Sequence, residues 1–200
     1  MAQAQARKTL EFLFDVGSPT TYLAHKRIPA LIERTGAEVV YVPVLLGGIF
    51  KATGNASPVM VPAKGAYMGA DMARFAKKFG VPLNMNPYFP INTITMMRMA
   101  AGLVGEEAFP RLVDALFDAM WKGRKNMGDP EVVAAVLGGA GLDAAALLAL
   151  AESPEAKDRL KTNTESAVAR GAFGAPTFFV EDEMFFGQDR LDFVEEALAA

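Results

Sequence analysis

Ser18 is the hydroxyl whose position most strongly suggests chemistry. It stands between Gly17 and Pro19 in FDVGSPTTYLA (residues 14–24), directly after a short apolar run. A serine followed by proline is a common way to begin a helix, so a plain N-cap role is one interpretation. The second interpretation adds to the first, because the free N–H groups and partial positive charge of a helix N-terminus stabilise an anion. A thiolate is such an anion, and the pKa of its thiol falls at such a site.

The chain cannot supply that thiol itself, because none of its 200 residues is cysteine. This composition excludes a disulfide framework, a cysteine-ligated metal and a protein thiol nucleophile. A single histidine, His25, gives poor support to histidine metal sites and serine–histidine triads. We predict a structural or solvent-facing role for His25. Any thiol chemistry would therefore use a thiol carried by a bound small molecule.

A second group of polar residues lies in GGIFKATGNASPVMVPAKGAYM (residues 47–68), where Lys51, Asn55 and Lys64 stand among glycines and prolines. One interpretation is an ordinary surface loop followed by a helix start. The other interpretation is a binding site, in which Lys64 lies against a carboxylate of a ligand and Asn55 lies near its thiol.

A third group is Gln188 and Asp189 in FGQDRLD (residues 186–192). Asp189 is expected as an N-cap or first-turn acid of the last helix. A helix start with free amides can also hold a carboxylate. Gln188 and Asp189 together could then bind a group that carries both a carboxylate and an ammonium, as a γ-glutamyl end does.

The elements that position Ser18 are predicted from the apolar pattern around it. TLEFLFDV (9–16) is short and apolar, which predicts a buried strand. Helical spacing follows and stops at Gly36, with Pro29 inside the helix. AEVVYVPVLL (37–46) predicts the next strand. A strand, helix and strand of these lengths indicate a parallel βαβ unit.

The rest of the chain predicts a long helical insertion followed by a hairpin and a closing helix. Strand character returns in PTFFVED and EMFFG, and DRLDFVEEALAA predicts the last helix. The resulting α/β order, βαβ…ββα, resembles a thioredoxin core formed by residues 9–46 plus 172–200, with an all-helical domain at 47–171 inserted into it. The side chains predicted to pack that helical part are Met96, Met97, Met99, Phe117, Met120 and Trp121.

Pro176, in GAPTFF (174–179), has two interpretations. It is an ordinary loop proline at the first residue of a strand, or it is the cis-proline that begins this strand in thioredoxin-like folds and faces the first helix. A cis X-Pro bond costs only ~0.5–1 kcal/mol relative to trans. In the second case Ala175 offers its backbone N–H and C=O to an extended, peptide-like ligand.

Net charge and the distribution of apolar residues argue against several classes of binding partner. A net charge of −3 gives no electrostatic reason to expect nucleic acid or an anionic membrane. The first ten residues, MAQAQARKTL, contain no apolar core, so we expect no signal peptide. The longest apolar tract (134–151) is broken by glycines and Asp143, and predicts two short helices rather than a membrane span. We expect a cytoplasmic protein.

Four separated stretches resemble one known family, the 2-hydroxychromene-2-carboxylate isomerases together with the kappa-class glutathione transferases, in the DsbA-like branch of the thioredoxin fold. They are FDVGSPTTYLA, GGIFKATGN…VPAKGAYM, GAFGAPTFFV and MFFGQDRLDFVEEAL. The resemblance implies glutathione as cofactor, with Ser18 as the catalytic residue that donates a hydrogen bond to its sulfur. The implied glutathione contacts are Asn55, Lys64, Ala175, Pro176, Gln188 and Asp189.

One difference separates this chain from the oxidoreductases of the same branch, and two departures separate it from the isomerase and transferase family itself. SPTT stands where oxidoreductase relatives carry a Cys-Pro-x-Cys pair, so disulfide exchange by the chain itself is impossible. Many relatives have aromatic or serine residues where this chain has Thr20 and Thr21, and some isomerases have a polar residue in place of Met60. The differences at Thr20, Thr21 and Met60 bear on the choice of the second substrate more than on the binding of glutathione.

The leading hypothesis is a glutathione-dependent isomerase of an aromatic-degradation intermediate, of the 2-hydroxychromene-2-carboxylate to trans-o-hydroxybenzylidenepyruvate type. The implied reaction is reversible thiolate addition, bond rotation and elimination. The alternatives are a kappa-like transferase or peroxidase, a non-catalytic glutathione-binding protein, and a scaffold that binds no thiol. The expected partner is a small aromatic substrate, and a homodimer is a further possibility because relatives are often dimers.

Overall fold

The computed structural model describes residues 7–200, and the expectation about a signal peptide falls mainly on residues 1–6, outside that range. Within the described range the chain forms four strands and nine α-helices, with 3-10 turns at Pro58–Met60 and Gln188–Arg190. The elements are β1 (Thr9–Phe14), α1 (Pro19–Thr35), β2 (Glu38–Pro43), α2 (Leu46–Thr53), α3 (Pro62–Phe79), α4 (Ile94–Leu103), α5 (Phe109–Trp121), α6 (Pro130–Gly139), α7 (Ala144–Glu152), α8 (Pro154–Ala169), β3 (Thr177–Val180), β4 (Glu183–Phe186) and α9 (Leu191–Ala199).

The strands form one mixed sheet in the order β2-β1-β3-β4. β1 and β2 are parallel, with Thr9 opposite Glu38, and α1 is the crossover between them. β3 is antiparallel to both β1 and β4. The predicted βαβ…ββα order with a helical insertion is therefore confirmed. The division into two domains at residues 46/47 and 171/172 stays a prediction.

Both ends of α1 carry the residues that the sequence suggested. The Oγ of Ser18 accepts a hydrogen bond from the N–H of Thr21, and Pro19 is the first helical residue. Gly36 ends the helix with φ 67°, a left-handed conformation that glycine adopts without a Cβ penalty. Because α1 begins only five residues after the end of β1, Ser18 lies at the carboxyl edge of the sheet.

One buried apolar cluster joins the sheet to the inserted helices. All the side chains predicted to pack there are at most 2% exposed: Met96, Met97, Met99, Phe117, Met120 and Trp121. The indole Nε1 of Trp121 also donates a hydrogen bond of 2.7 Å to the C=O of Val16. Helix α5 is thereby fixed to the segment that leads to Ser18.

Two stretches of uncertain character are now defined. The part of residues 47–68 expected as surface loop includes most of α2, which forms because Ile49 packs against a second apolar cluster with Leu13 and Phe179. The apolar tract at 134–151 forms parts of α6 and α7 on either side of a turn, as predicted. No helix within residues 7–200 is long and apolar enough to cross a membrane.

His25 is buried and not solvent-facing, so the structural interpretation of this residue is correct. Its Nδ1 lies 3.0 Å from the hydroxyl of Tyr41 and its Nε2 lies 2.9 Å from Asp114, while its ring stacks on Phe117. Lys26 lies 2.8 Å from the same carboxylate. The hydrogen bond with His25, and after it that from Lys26, hold the pKa of Asp114 well below its usual value, although partial burial opposes them.

Asp114→Asn should lower the free energy of unfolding at neutral pH and remove part of its pH dependence. The folded-state pKa of Asp114 lies below the unfolded value of about 3.9. Its contribution is therefore present above that unfolded value and is lost as the pH falls through the lowered folded-state pKa. Urea unfolding at neutral pH and at about pH 3 should show the difference between wild type and variant shrinking in acid.

Asp192→Asn is the control, because it removes only an exposed ion pair with Arg27 and should change stability by less than about 1 kcal/mol. A difference between wild type and Asp114→Asn that is the same at both pH values would contradict the prediction.

Candidate active site

A cavity of about 440 Å³ opens where the loop after β1 meets the N-terminus of α1. Its walls come from six parts of the chain: 15–20, 46–59, 65–72, 85–93, 173–175 and residue 186. Most of the lining is apolar, and its large side chains include Phe50, Met68, Met85, Phe89, Phe173 and Phe186. The volume lies in the range of small-molecule sites, roughly 300–1,000 Å³.

Ser18 lies in the wall of this cavity as well as at the cap of α1. The residue is 4% exposed, and its Oγ makes three contacts. It accepts from the N–H of Thr21 (3.2 Å), donates to the C=O of Ala175 (3.0 Å) and lies 3.0 Å from the Oγ1 of Thr20. The N-cap interpretation is thus correct, and the hydroxyl is also placed where a ligand in the cavity could reach it.

Ala175 and Pro176 form the loop opposite Ser18. The peptide bond between them is cis, as expected for a thioredoxin-like fold. The N–H of Gly187 donates to the C=O of Pro176 (3.0 Å), and the hydroxyl of Thr177 donates to the C=O of Gly174 (2.9 Å). These bonds hold the backbone of Ala175 toward the cavity, which Ala175 lines and Pro176 does not.

Asn55 lines the cavity and Lys64 does not. The amide Nδ2 of Asn55 donates a hydrogen bond of 2.8 Å to the C=O of Phe173. This bond connects the chain after α2 to the segment before the cis-proline. Lys64 is exposed in the first turn of α3, directly before Gly65, which does line the cavity. Lys64 is therefore the chain neighbour of a lining residue and not part of the lining itself.

Gln188 and Asp189 are outside the cavity lining. Gln188 is buried, and its Oε1 has no hydrogen-bond partner among residues 7–200. Asp189 lies in the first turn of the 3-10 helix Gln188–Arg190 and its carboxylate contacts Arg190 at 2.6 Å. Of the two roles expected for Asp189, the N-cap is wrong, because α9 begins after this turn and has no side-chain cap. Asp189 is a first-turn acid, but of the 3-10 turn that leads into α9.

Thr20, Thr21 and Met60, which differ from the family that the sequence resembles, lie in three different environments. Thr20 lines the cavity. Thr21 is fully buried, and its Oγ1 has no partner within the described part of the chain. Met60 is 73% exposed and is not part of the lining.

Asp15 is the site residue that the sequence interpretation missed. It is buried, lines the cavity and accepts three hydrogen bonds: from the N–H of Gly17, the N–H of Leu46 and the hydroxyl of Thr93, at 2.8, 2.8 and 3.1 Å. Burial raises the pKa of Asp15, although these bonds oppose the rise. The available signal was an acidic residue immediately after an apolar strand, where a buried carboxylate needs partners.

This arrangement suits an anion held against an apolar body. The N-terminus of α1 and the Ser18 hydroxyl stabilise negative charge at one end, and aromatic and methionine side chains line the remainder. Within residues 7–200, histidine, aspartate and glutamate form no cluster of three that could hold a metal ion.

Comparisons with known proteins agree with this fold. A family model described as a DSBA-like thioredoxin domain matches residues 9–199. The 2-hydroxychromene-2-carboxylate isomerase of Sphingobium xenophagum is 34% identical over 194 residues, which cover 96% of this chain and 98% of that protein. Human glutathione S-transferase kappa 1 is 27% identical over 205 residues, covering 96% of this chain and 91% of that protein.

Solved structures are similar over the same length. A 2-hydroxychromene-2-carboxylate isomerase superposes with a TM-score of 0.85 at 30% identity, covering 95% of this chain and 94% of the other. A probable DsbA oxidoreductase from Streptomyces coelicolor superposes with a TM-score of 0.72 at 19% identity, covering 96% and 88%, and supports the fold alone.

Asp15→Asn should destabilise the protein, because an amide offers one acceptor oxygen where three donors converge. One donor would then face the NH₂ group, and an unsatisfied buried donor costs about 1–3 kcal/mol. Urea unfolding at neutral pH measures the loss. Thr93→Val removes a single donor and should cost about 1 kcal/mol. Equal stability of Asp15→Asn and wild type would contradict this account.

Proposed function

The chain belongs to the family of DSBA-like thioredoxin domains, within the group that includes 2-hydroxychromene-2-carboxylate isomerases and kappa-class glutathione transferases, and we propose that it is a glutathione-dependent isomerase of an aromatic-degradation intermediate. The observation that carries the proposal is Ser18, a hydroxyl at a helix N-terminus in an apolar cavity of a chain without cysteine. The level of identity to a named isomerase over nearly the whole chain supports isomerisation as the reaction.

The donor set around the cavity fits glutathione. A cavity of about 440 Å³ is large enough for a small-molecule ligand, and the backbone of Ala175 suits an extended, peptide-like one. Asn55 lies in the wall, and Lys64 lies beside it as a cation for a carboxylate. When bound, glutathione would supply the thiolate that adds reversibly to a conjugated carbon of the substrate.

Ser18 would lower the pKa of the bound thiol by donating a hydrogen bond to the thiolate sulfur, and the N-terminus of α1 would favour the same negative charge. To do so the O–H must turn away from the C=O of Ala175, its present acceptor. The apolar walls would hold an aromatic substrate and exclude water from the reacting atoms.

Pro176 would act by holding Ala175, through the bond that its C=O accepts from Gly187. Gln188 and Asp189 follow Phe186, which lines the cavity, by two and three residues. They remain proposed contacts of the γ-glutamyl end, for a ligand that extends beyond the cavity past Phe186. A cytoplasmic location and a homodimer likewise remain predictions.

A kappa-like transferase or peroxidase is the second candidate, and the 27% identity to human glutathione S-transferase kappa 1 favours it. The two activities use the same thiolate and differ in product. Net consumption of glutathione without isomerisation of 2-hydroxychromene-2-carboxylate would select the transferase. Saturable binding with an unchanged thiol pKa and no turnover would select a non-catalytic binding protein.

Ser18→Ala should raise the pKa of bound glutathione by about one to two units, because a hydrogen bond to a charged group is lost. It should also slow isomerisation of 2-hydroxychromene-2-carboxylate. Thiolate absorbance titrated against pH measures the pKa, and substrate absorbance follows the isomerisation. An equally low thiol pKa in wild type and Ser18→Ala would remove Ser18 from the mechanism.

Lys64→Ala should weaken glutathione binding by about two- to fivefold, the effect expected for an exposed ion pair. Isothermal titration calorimetry measures the affinity. Lys77→Ala is the matched control, because Lys77 is also exposed and on α3 but lies in its last turn, at the other end of the helix from Gly65. If both variants bind glutathione as wild type does, Lys64 holds no carboxylate.

A further inference from the structure

We propose that Thr20 is a positioning residue of this site. Its hydroxyl donates a hydrogen bond to the Oγ of Ser18 and so makes Ser18 a stronger hydrogen-bond donor to a bound sulfur. This inference rests on the proposed function above. It concerns a residue of this chain that lines the cavity and whose side chain contacts Ser18 at 3.0 Å.

The direction of the Thr20–Ser18 hydrogen bond follows from counting protons. A serine hydroxyl has one proton to donate and two lone pairs that accept. The proton of Ser18 is donated to the C=O of Ala175. One lone pair accepts from the N–H of Thr21. The remaining contact, with Thr20, must therefore use the second lone pair of Ser18, which makes Thr20 the donor.

The same count of donors and acceptors applies when a bound anion accepts the hydrogen bond of the Ser18 O–H. A small rotation about the Cβ–Oγ bond would turn the O–H of Ser18 from Ala175 toward the sulfur. The oxygen itself does not move in this rotation, so the donors of Thr20 and Thr21 stay within hydrogen-bond distance of it. A hydroxyl that accepts hydrogen bonds is polarised and becomes a stronger donor, since consecutive hydrogen bonds reinforce one another.

Thr21 provides a matched comparison in the next position. Both residues are threonines in the first turn of α1, and valine replaces either one with a similar shape. The Oγ1 of Thr21, however, is buried without a partner among the described residues, so its hydroxyl does not contact Ser18. Any effect of a general change at the helix start should appear in both variants, and an effect of the hydroxyl on Ser18 should appear only at Thr20.

The test is a pH titration of thiolate absorbance for glutathione bound to wild type, Thr20→Val, Thr20→Ser, Thr21→Val and Ser18→Ala, with circular dichroism to check the fold of each. Thr20→Val should raise the bound thiol pKa by about half a unit, less than Ser18→Ala does. Thr20→Ser should restore the wild-type value, and Thr21→Val should leave it unchanged.

The outcomes separate this inference from the proposed function. If Ser18→Ala raises the thiol pKa but Thr20→Val does not, the role of Thr20 is wrong and the proposed function stands. If Thr20→Ser fails to restore the pKa, or if Thr21→Val shifts it as much as Thr20→Val, the hydroxyl of Thr20 is not the cause. If wild type itself does not lower the thiol pKa, the proposed function fails and the inference fails with it.

Discussion

The proton of the Ser18 hydroxyl connects two parts of the chain that are 157 residues apart in sequence. It joins the start of α1 to the loop that ends in the cis peptide bond before Pro176. Strand β1 and the antiparallel hairpin meet in the sheet below this contact, so the two segments arrive at the same edge. The cavity lies where these ends meet, and the Ser18 hydroxyl adds a direct hydrogen bond to the strand pairing that brings them together.

A second set of polar contacts stabilises the same edge from the opposite side. Asp15 gathers donors from its own loop, from the start of α2 and from the residue before α4. A buried carboxylate is costly unless such donors surround it. The stability of these connections therefore depends on geometry that the inserted helices must supply. Trp121 acts in the same way through its bond to Val16.

Local signals in the sequence were sufficient to predict much of the fold. The Ser-Pro pair and Gly36 mark the ends of α1 by capping chemistry that acts within a few residues, and the buried methionines follow the helical period. The contacts of Asp15 and the position of Gln188 could not be predicted, because they depend on segments brought together only by folding. The adjacent glycines of α2 lower its helix propensity and so predict a loop, whereas the packing of Ile49 in the folded chain stabilises the helix.

Gly174 leaves room for an aromatic side chain at the entrance of the cavity. A Cβ at this position would lie 2.8 Å from the ring of Phe186, which packs with Phe173 at 4.4 Å between ring centroids. Both rings line the cavity and are partly exposed, so they form part of its rim. The position of the Phe186 ring, and with it the width of the opening, therefore depends on residue 174 being a glycine. A larger residue at 174 would displace the Phe186 ring and so change the shape of the opening, while the side chains that contact the Ser18 hydroxyl stay the same.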